Sequence, residues 1–216
     1  MNAGMNESRE RIIGVDFDNT LVTYDGLLYN IAVQHGLIPP TTEKNKKCIR
    51  DHIRQLPTGE IEWQKLQALA YGPRIGEARL IDGVWTFFKL CKQNGVKVYI
   101  VSHKTEFANY DETHTNLRTA ALDWMAANKF FKKEGLGLST EVVFFVAIRK
   151  EKIELVRMLG STHFIDDLEE TFLEETFPAN VEKILFAPYR QPETLPGVKV
   201  LRAWQEINDY FFSGTD

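Results

Sequence analysis

Apolar residues fall along this chain in two rhythms. Short runs rich in β-branched and aromatic residues occur at 12–15 (IIGV), 96–101 (VKVYIV), 141–146 (EVVFFV), 163–165 (HFI), 183–186 (KILF) and 198–201 (VKVL). Runs this short and continuous predict strands buried on both faces. Between them the spacing changes to three and four. Val84, Phe87, Phe88 and Cys91 predict a helix over 82–94, stopped by Asn94-Gly95. Leu117, Ala120, Ala121 and Trp124 do so over 114–128, and Ile153, Val156 and Leu159 over 150–159, which Gly160 ends. Trp204, Ile207, Tyr210 and Phe211 predict a closing helix over 203–212. Strands alternating with helices give an α/β protein with a parallel sheet. Right-handed crossovers make that sheet a doubly wound, Rossmann-like layer.

One stretch breaks the rhythm. From Thr23 to Arg79 no strand is evident, only helix-like segments punctuated by Gly36, Pro39-Pro40, Pro57 and Gly72-Pro73. Thr41 and Thr42 are placed to cap a helix carrying Cys48, Ile49, His52 and Ile53. Ile61, Trp63, Leu66 and Leu69 mark a second helix. The expected organisation is therefore a flexible tail over 1–10, an α/β core from 11–22 and 80–216, and a small helical insertion over 23–79.

Composition changes little in this picture. With 216 residues, 44% of them hydrophobic, the chain can bury one sizeable core and a small accessory unit. A net charge of -4 supplies no basic field for nucleic acid, which makes small ligands the expected partners. Cys91 lies in an apolar run and reads as a buried, inert thiol; nothing requires a disulfide with Cys48. The polar start of the chain shows no signal peptide, and no apolar run spans a membrane. The expected location is cytoplasmic.

Chemistry enters where the strands end. The first terminates in Asp16-Phe17-Asp18-Asn19-Thr20, two carboxylates at i and i+2 where an apolar strand exits. In a doubly wound sheet, ligands bind at the carboxyl ends of the strands. Two acids held there repel one another unless a cation compensates, and hard cations such as magnesium take such oxygen ligands. A lone pair of this kind more often serves as a cap or turn. A second strand ends in Ser102-His103-Lys104. Lys152, beside Arg149 and Lys150, sits in a first helical turn, where a cation opposes the helix dipole unless an anion lies in front. A fourth strand runs into Asp166-Asp167, of which one has an alternative use as a helix N-cap.

Taken in order, DFDNT resembles the first motif, DxDx[TV], of the haloacid dehalogenase-like superfamily, and YIVS its second, a strand ending in Ser or Thr. Lys152 is similar to the third-motif lysine and IDD to the acidic fourth motif. The resemblance spans about 11–187, and the gap between the first two motifs is where such proteins insert a helical cap. It implies a magnesium-dependent phosphatase acting on a small phosphorylated metabolite. Asp16 would be the nucleophile that forms an aspartyl-phosphate, and Asp18 the acid and base. Ser102 and Lys152 would hold the phosphoryl group, with Asn19, Thr20 and His103 beside it. Magnesium would bind Asp16, the Asp18 backbone carbonyl, and Asp166 or Asp167.

Several alternatives stand at this level. Lys150 competes with Lys152, and either member of the Asp166-Asp167 pair can contact the metal. Phosphotransfer to a second substrate uses the same residues, while a non-catalytic phosphate-binding protein would not need them intact. A dinucleotide site is disfavoured, since no G-x-G-x-x-G follows the first strand. Tyr24, Tyr29, His35, Trp63, His103, Lys104, Tyr110 and His114 are candidates for specificity, with core packing or an ordinary surface position as the competing use of each. Lys44, Lys46, Lys47, Arg50 and Arg54 form a cationic run in the insertion, expected mainly as a solvated helix face.

Overall fold

The computed structural model describes residues 10–189 and 195–213. The tail expected over 1–10 lies outside them apart from Glu10, which pairs with Lys97 at 2.8 Å. The chain begins with β1 (Ile12–Val15) and β2 (Val22–Thr23), followed by helices α1 (Asp25–Gln34), α2 (Lys46–Ile53) and α3 (Gly59–Tyr71). Next come β3 (Arg79–Leu80), α4 (Val84–Gln93), β4 (Lys97–His103), α5 (Leu117–Ala127), β5 (Val143–Val146) and α6 (Arg149–Met158). The last third holds β6 (His163–Asp166), α7 (Glu169–Leu173), β7 (Glu182–Phe186), β8 (Val198–Leu201) and α8 (Trp204–Phe212).

Six strands form one sheet in the order β5-β4-β1-β6-β7-β8, and every pairing is parallel. The chain thus builds outward from β1 through β4 to β5, then returns to β6 and builds the other way. This is the doubly wound arrangement, with its switch point at β1. Ile13 and Val15 are fully buried, as a central strand covered on both faces requires. Between them, Gly14 lets the Phe164 ring of the neighbouring strand lie across β1; a Cβ there would meet that ring at 2.5 Å. The run 141–146 is strand only from Val143, because Thr140–Val142 form a 3₁₀ turn in which the Ser139 hydroxyl accepts from the Glu141 N–H.

The insertion departs from its sequence reading in two places. First, β2 and β3 pair as an antiparallel ribbon, Val22 opposite Leu80 and Thr23 opposite Arg79, which closes the base of 23–79. Two residues per strand carry no readable alternation, so periodicity could not reveal it. Second, α2 is capped by Asn45, not by Thr41 or Thr42: its side chain accepts from the Cys48 N–H at 2.8 Å. Asn45→Ala is accordingly expected to cost about 1 kcal/mol in urea unfolding, and Thr41→Ala or Thr42→Ala only a few tenths. Equal losses at all three positions would contradict this assignment. Helices α1, α2 and α3 pack on one another. Their buried Leu28, Ile31, Ile49, Trp63 and Leu66 belong to the same apolar cluster as Ile13 and Ile100 of the sheet, so insertion and sheet share one core. Both cysteines are free, and burial pushes the Cys91 thiol up to about 12. Among the described residues, no helix is long and apolar enough to cross a membrane.

Candidate active site

The switch point brings the two central strands side by side, and each ends in acid. Asp16 follows β1 directly and extends its ladder by one bond, its N–H donating to the Ile165 carbonyl at 2.9 Å. The residue is 4% exposed. From the far side, α6 packs on β4 and β5 and turns Lys152 inward. Its ammonium lies 2.7 Å from Asp16 Oδ1 and 2.7 Å from Asp166 Oδ2, with 1% of the residue exposed. Lys150, two residues earlier, is exposed. Burial alone would lower the Lys152 ammonium, but Asp16 and Asp166 outweigh it and hold it above its ordinary value.

The acids are less well balanced than the lysine. Asp16, Asp166 and Asp167 each bring a ligand atom within 4.8 Å of the others. Burial pushes the Asp16 carboxyl up to about 6; Lys152 opposes that rise, while Asp166 and Asp18 add to it. Burial also drives Asp167 well above the carboxylate range, reinforced by Asp166 and Asp16. The two neighbours in β6 and beyond it are not equivalent. Asp166 uses Oδ2 for Lys152 and Oδ1 for the Leu168 N–H at 3.0 Å. Asp167 accepts no hydrogen bond from any described residue, which leaves its oxygens available. Neither caps α7, whose N-cap is Leu168.

Asp18 stands apart from this group. The Tyr24 hydroxyl donates to its Oδ1 at 2.6 Å and the Lys104 ammonium to its Oδ2 at 2.7 Å. Lys104, 4% exposed, also lies 5.7 Å from the centre of the Phe17 ring and 5.4 Å from that of Tyr71. Burial, then the Asp18 carboxylate it serves, raises the Tyr24 phenol above its ordinary value. The link between Lys104 and the site was readable: it lies two residues after Ser102, and alternate positions of an extended chain share a face.

Two buried hydroxyls belong to the same strand ends. Ser102 Oγ and Thr20 Oγ1 are buried and have no hydrogen-bond partner among the described residues. Buried polar groups are seldom left so, and an incoming anion would satisfy both. Asn19 adopts φ 60, a left-handed conformation that asparagine tolerates, and its N–H bonds to the Val22 carbonyl at 2.8 Å, shaping the turn after β1. His103 does not join the group. Strand alternation turns it to the opposite face, where its ring nitrogen meets the Ala147 carbonyl at 2.8 Å.

The insertion adds one cation. Lys46, the first residue of α2, directs its ammonium toward Tyr71 and the acids. Burial would lower it, yet the Tyr71 hydroxyl and the Asp167 and Asp18 carboxylates hold it above its ordinary value. The rest of the cationic run is superficial: Lys47 and Arg50 pair with Asp51 and Arg54 with Glu60, while Lys44 covers the Tyr29 ring. Of the other specificity candidates, Trp63 is core, His35 and His114 are exposed, and Tyr29 bonds the Pro40 carbonyl. Tyr110 is exposed on the segment after β4.

No protein-family model matches this chain, and no curated protein is similar to it in sequence. Solved structures share its fold. A haloacid dehalogenase-like family hydrolase from Streptococcus pneumoniae superposes with a TM-score of 0.61 at 14% identity, over 94% of this chain and 98% of that one. A HAD family hydrolase from Deinococcus radiodurans R1, determined with bound phosphate and sodium, gives 0.55 at 14% identity over 94% and 96% of the two chains. A predicted phosphoglycolate phosphatase from Haemophilus somnus gives 0.55 at 13% identity over 95% and 99%. At these identities the likeness establishes the fold.

Proposed function

We propose that this chain, which has the haloacid dehalogenase-like fold, is a magnesium-dependent phosphomonoester hydrolase that works through Asp16. The observation that carries the reading is a convergence at the carboxyl end of β1. A buried carboxylate and a buried lysine meet there, and two buried hydroxyls without a described partner stand on the turn after β1 and near the end of the adjoining strand β4. The phosphate held by the Deinococcus radiodurans structure of the same fold is consistent with it.

The donor set fits a hard divalent cation. Asp16 and Asp167 would supply carboxylate oxygens and Asp18 its main-chain carbonyl, while Asp166 remains engaged with Lys152 and the Leu168 N–H. When bound, magnesium would neutralise charge shared by the nucleophile and the phosphoryl oxygens. The residues do the rest. Lys152 fixes Asp16 Oδ1 and leaves Oδ2 to attack phosphorus, so that a bond from Oδ2 to phosphorus forms as the bond to the leaving oxygen breaks. Lys152, Ser102 and Thr20 donate to the oxygens of the transferring group, preorganised for the charge that accumulates on them. Asp18, held as an acceptor by Tyr24 and Lys104, would first take up a proton and then pass it to the leaving oxygen. It then takes one from the water that hydrolyses the aspartyl-phosphate.

The same reading puts a small phosphorylated metabolite in the site, and the net charge of -4 favours such a ligand over nucleic acid. The test is hydrolysis of an aryl phosphate and a panel of phosphomonoesters with magnesium and with chelator. Release of phosphate only with the metal supports the reading, and no release from any ester rules it out. Metal addition also has a readout without substrate. Magnesium at a hundred times its dissociation constant should stabilise the fold by about 2.7 kcal/mol, raising Tm in calorimetry. Asp167→Asn should remove most of that rise; a wild-type Tm indifferent to magnesium would argue against the site.

A further inference from the structure

Tyr71, the last residue of α3, lies against both groups that hold Asp18 and has no part in the chemistry described above. Its ring meets that of Tyr24 in a T-shaped contact, with centres 4.4 Å apart and planes at 70°. Tyr24 is the phenol that donates to Asp18 Oδ1 at 2.6 Å. The same Tyr71 ring also serves Lys104. That ammonium is 2.7 Å from Asp18 Oδ2 and lies 5.4 Å from the centre of the Tyr71 ring and 5.7 Å from that of Phe17.

Lys104 is 4% exposed and carries three N–H donors, for which Asp18 is the only acceptor among the described residues. An ammonium buried with so few hydrogen bonds is costly. Aromatic faces carry negative potential, and two of them beside the ammonium supply part of what water would have given. The Tyr71 hydroxyl bonds to neither Lys104 nor Tyr24, so what the residue offers both is its ring. Phe17 is fixed at the end of β1, whereas Tyr71 and Tyr24 stand at the two ends of the helical insertion. The Asp18 carboxylate is thus set largely from the insertion. Asp16 is set from the sheet, by Lys152 and the Ile165 carbonyl.

We propose that Tyr71 is a positioning residue of the acid–base step, its ring the platform that keeps Tyr24 and Lys104 where they orient the Asp18 carboxylate. The inference rests on the phosphatase reading and adds to it a residue that acts through its neighbours. In that reading Asp18 works twice. It gives a proton to the leaving oxygen as the bond from that oxygen to phosphorus breaks. It then takes a proton from water, whose oxygen bonds to phosphorus as the bond to Asp16 Oδ2 breaks. Loss of the platform therefore slows departure of an alcohol and breakdown of the aspartyl-phosphate. Attack by Asp16 on an ester whose leaving group needs no proton is spared.

The test uses the full chain with magnesium, para-nitrophenyl phosphate, and the alkyl phosphate that the wild type hydrolyses fastest. Tyr71→Leu should lower kcat for the alkyl ester by about tenfold or more while KM stays within a factor of about three. On rapid mixing with the aryl ester, this variant should release a stoichiometric burst of nitrophenolate at about the wild-type rate and then turn over slowly. Nitrophenolate departs unprotonated, but the aspartyl-phosphate still needs Asp18. Tyr71→Phe keeps the ring and should stay within about twofold of wild type on both esters. Fluorination probes the ring without removing it. With Tyr71→Phe bearing increasing numbers of ring fluorines, the face becomes less negative, and steady-state turnover should fall in step. Should Tyr71→Leu not fold, this series decides alone. Equal loss of burst rate and alkyl turnover in Tyr71→Leu, a Tyr71→Phe variant as impaired as Tyr71→Leu, or a flat fluorine series overturns the positioning role, while wild-type hydrolysis keeps the phosphatase reading intact. Absence of hydrolysis of every ester by the wild type overturns both.

Discussion

Asp16→Asn should reduce turnover of an aryl phosphate by a factor of about 10⁴ or more, the scale on which removal of a nucleophile acts. The amide is nearly isosteric with the carboxylate but has no anionic oxygen to offer phosphorus. The substitution should not unfold the chain. Asp16, Asp166 and Asp167 crowd within 4.8 Å, and burial together with Asp166 and Asp18 already pushes the Asp16 carboxyl up to about 6. Replacing it by a neutral group relieves repulsion, and Lys152 keeps Asp166 as a partner at 2.7 Å. Metal-free Tm should therefore hold or rise while activity disappears. Near-normal turnover in this variant would exclude Asp16 as the nucleophile.

Lys152→Met should lower both stability and activity. A buried ion pair contributes little net stability, since desolvation offsets its attraction, but removing one partner strands the other. Here a single ammonium serves two buried carboxylates, so two charges are stranded at once. The expected loss is about 3–5 kcal/mol, a fall in Tm on the order of 10 °C for a chain of this size. Adding Asp166→Asn in the Lys152→Met background should recover part of the stability and none of the turnover, because the pair is coupled and the phosphoryl ligand is still missing. Lys150→Met, on an exposed position, should stay within about 0.5 kcal/mol. Should Lys150→Met abolish activity while Lys152→Met leaves it unchanged, the assignment of the phosphoryl-binding lysine would have to be reversed.

These two experiments also mark where sequence reasoning needed help. The position of Lys152 relative to Ile153 and Val156 put it at the sheet end of an amphipathic helix, but Lys150 remained open on sequence alone. The geometry separates them, because Lys152 reaches Asp16 and Asp166 while Lys150 is exposed. The Asp166-Asp167 pair shows the same division. Their position at a strand end was readable, whereas their unequal environments depend on Lys152 and the Leu168 N–H arriving at one and not the other. Strand parity separates Ser102 and Lys104 from His103, a signal present in the sequence that the grouping of Ser102 with His103 overlooked. For Lys46 there was no such signal. It sits in a run whose neighbours are all surface cations, and what distinguishes it is the placement of α2 by Asn45 and Asp25.

The sequence by itself determined the alternation of strands and helices, the run of helices between the first strand and Arg79, and the order in which acids and hydroxyls leave the strands. These are local properties, set by periods of two and 3.6 residues and by which residues stand at the ends of apolar runs. The tertiary structure decided which of those groups meet. Lys152 and Asp16 are 136 residues apart, and their 2.7 Å contact follows from α6 packing on β4 and β5. The pairing of Asp18 with Tyr24 and Lys104 and the two-residue ribbon of β2 and β3 belong to the same class. Each depends on how separate elements pack, and side-chain distances across a packed core are not written in the periodicity of any one of them.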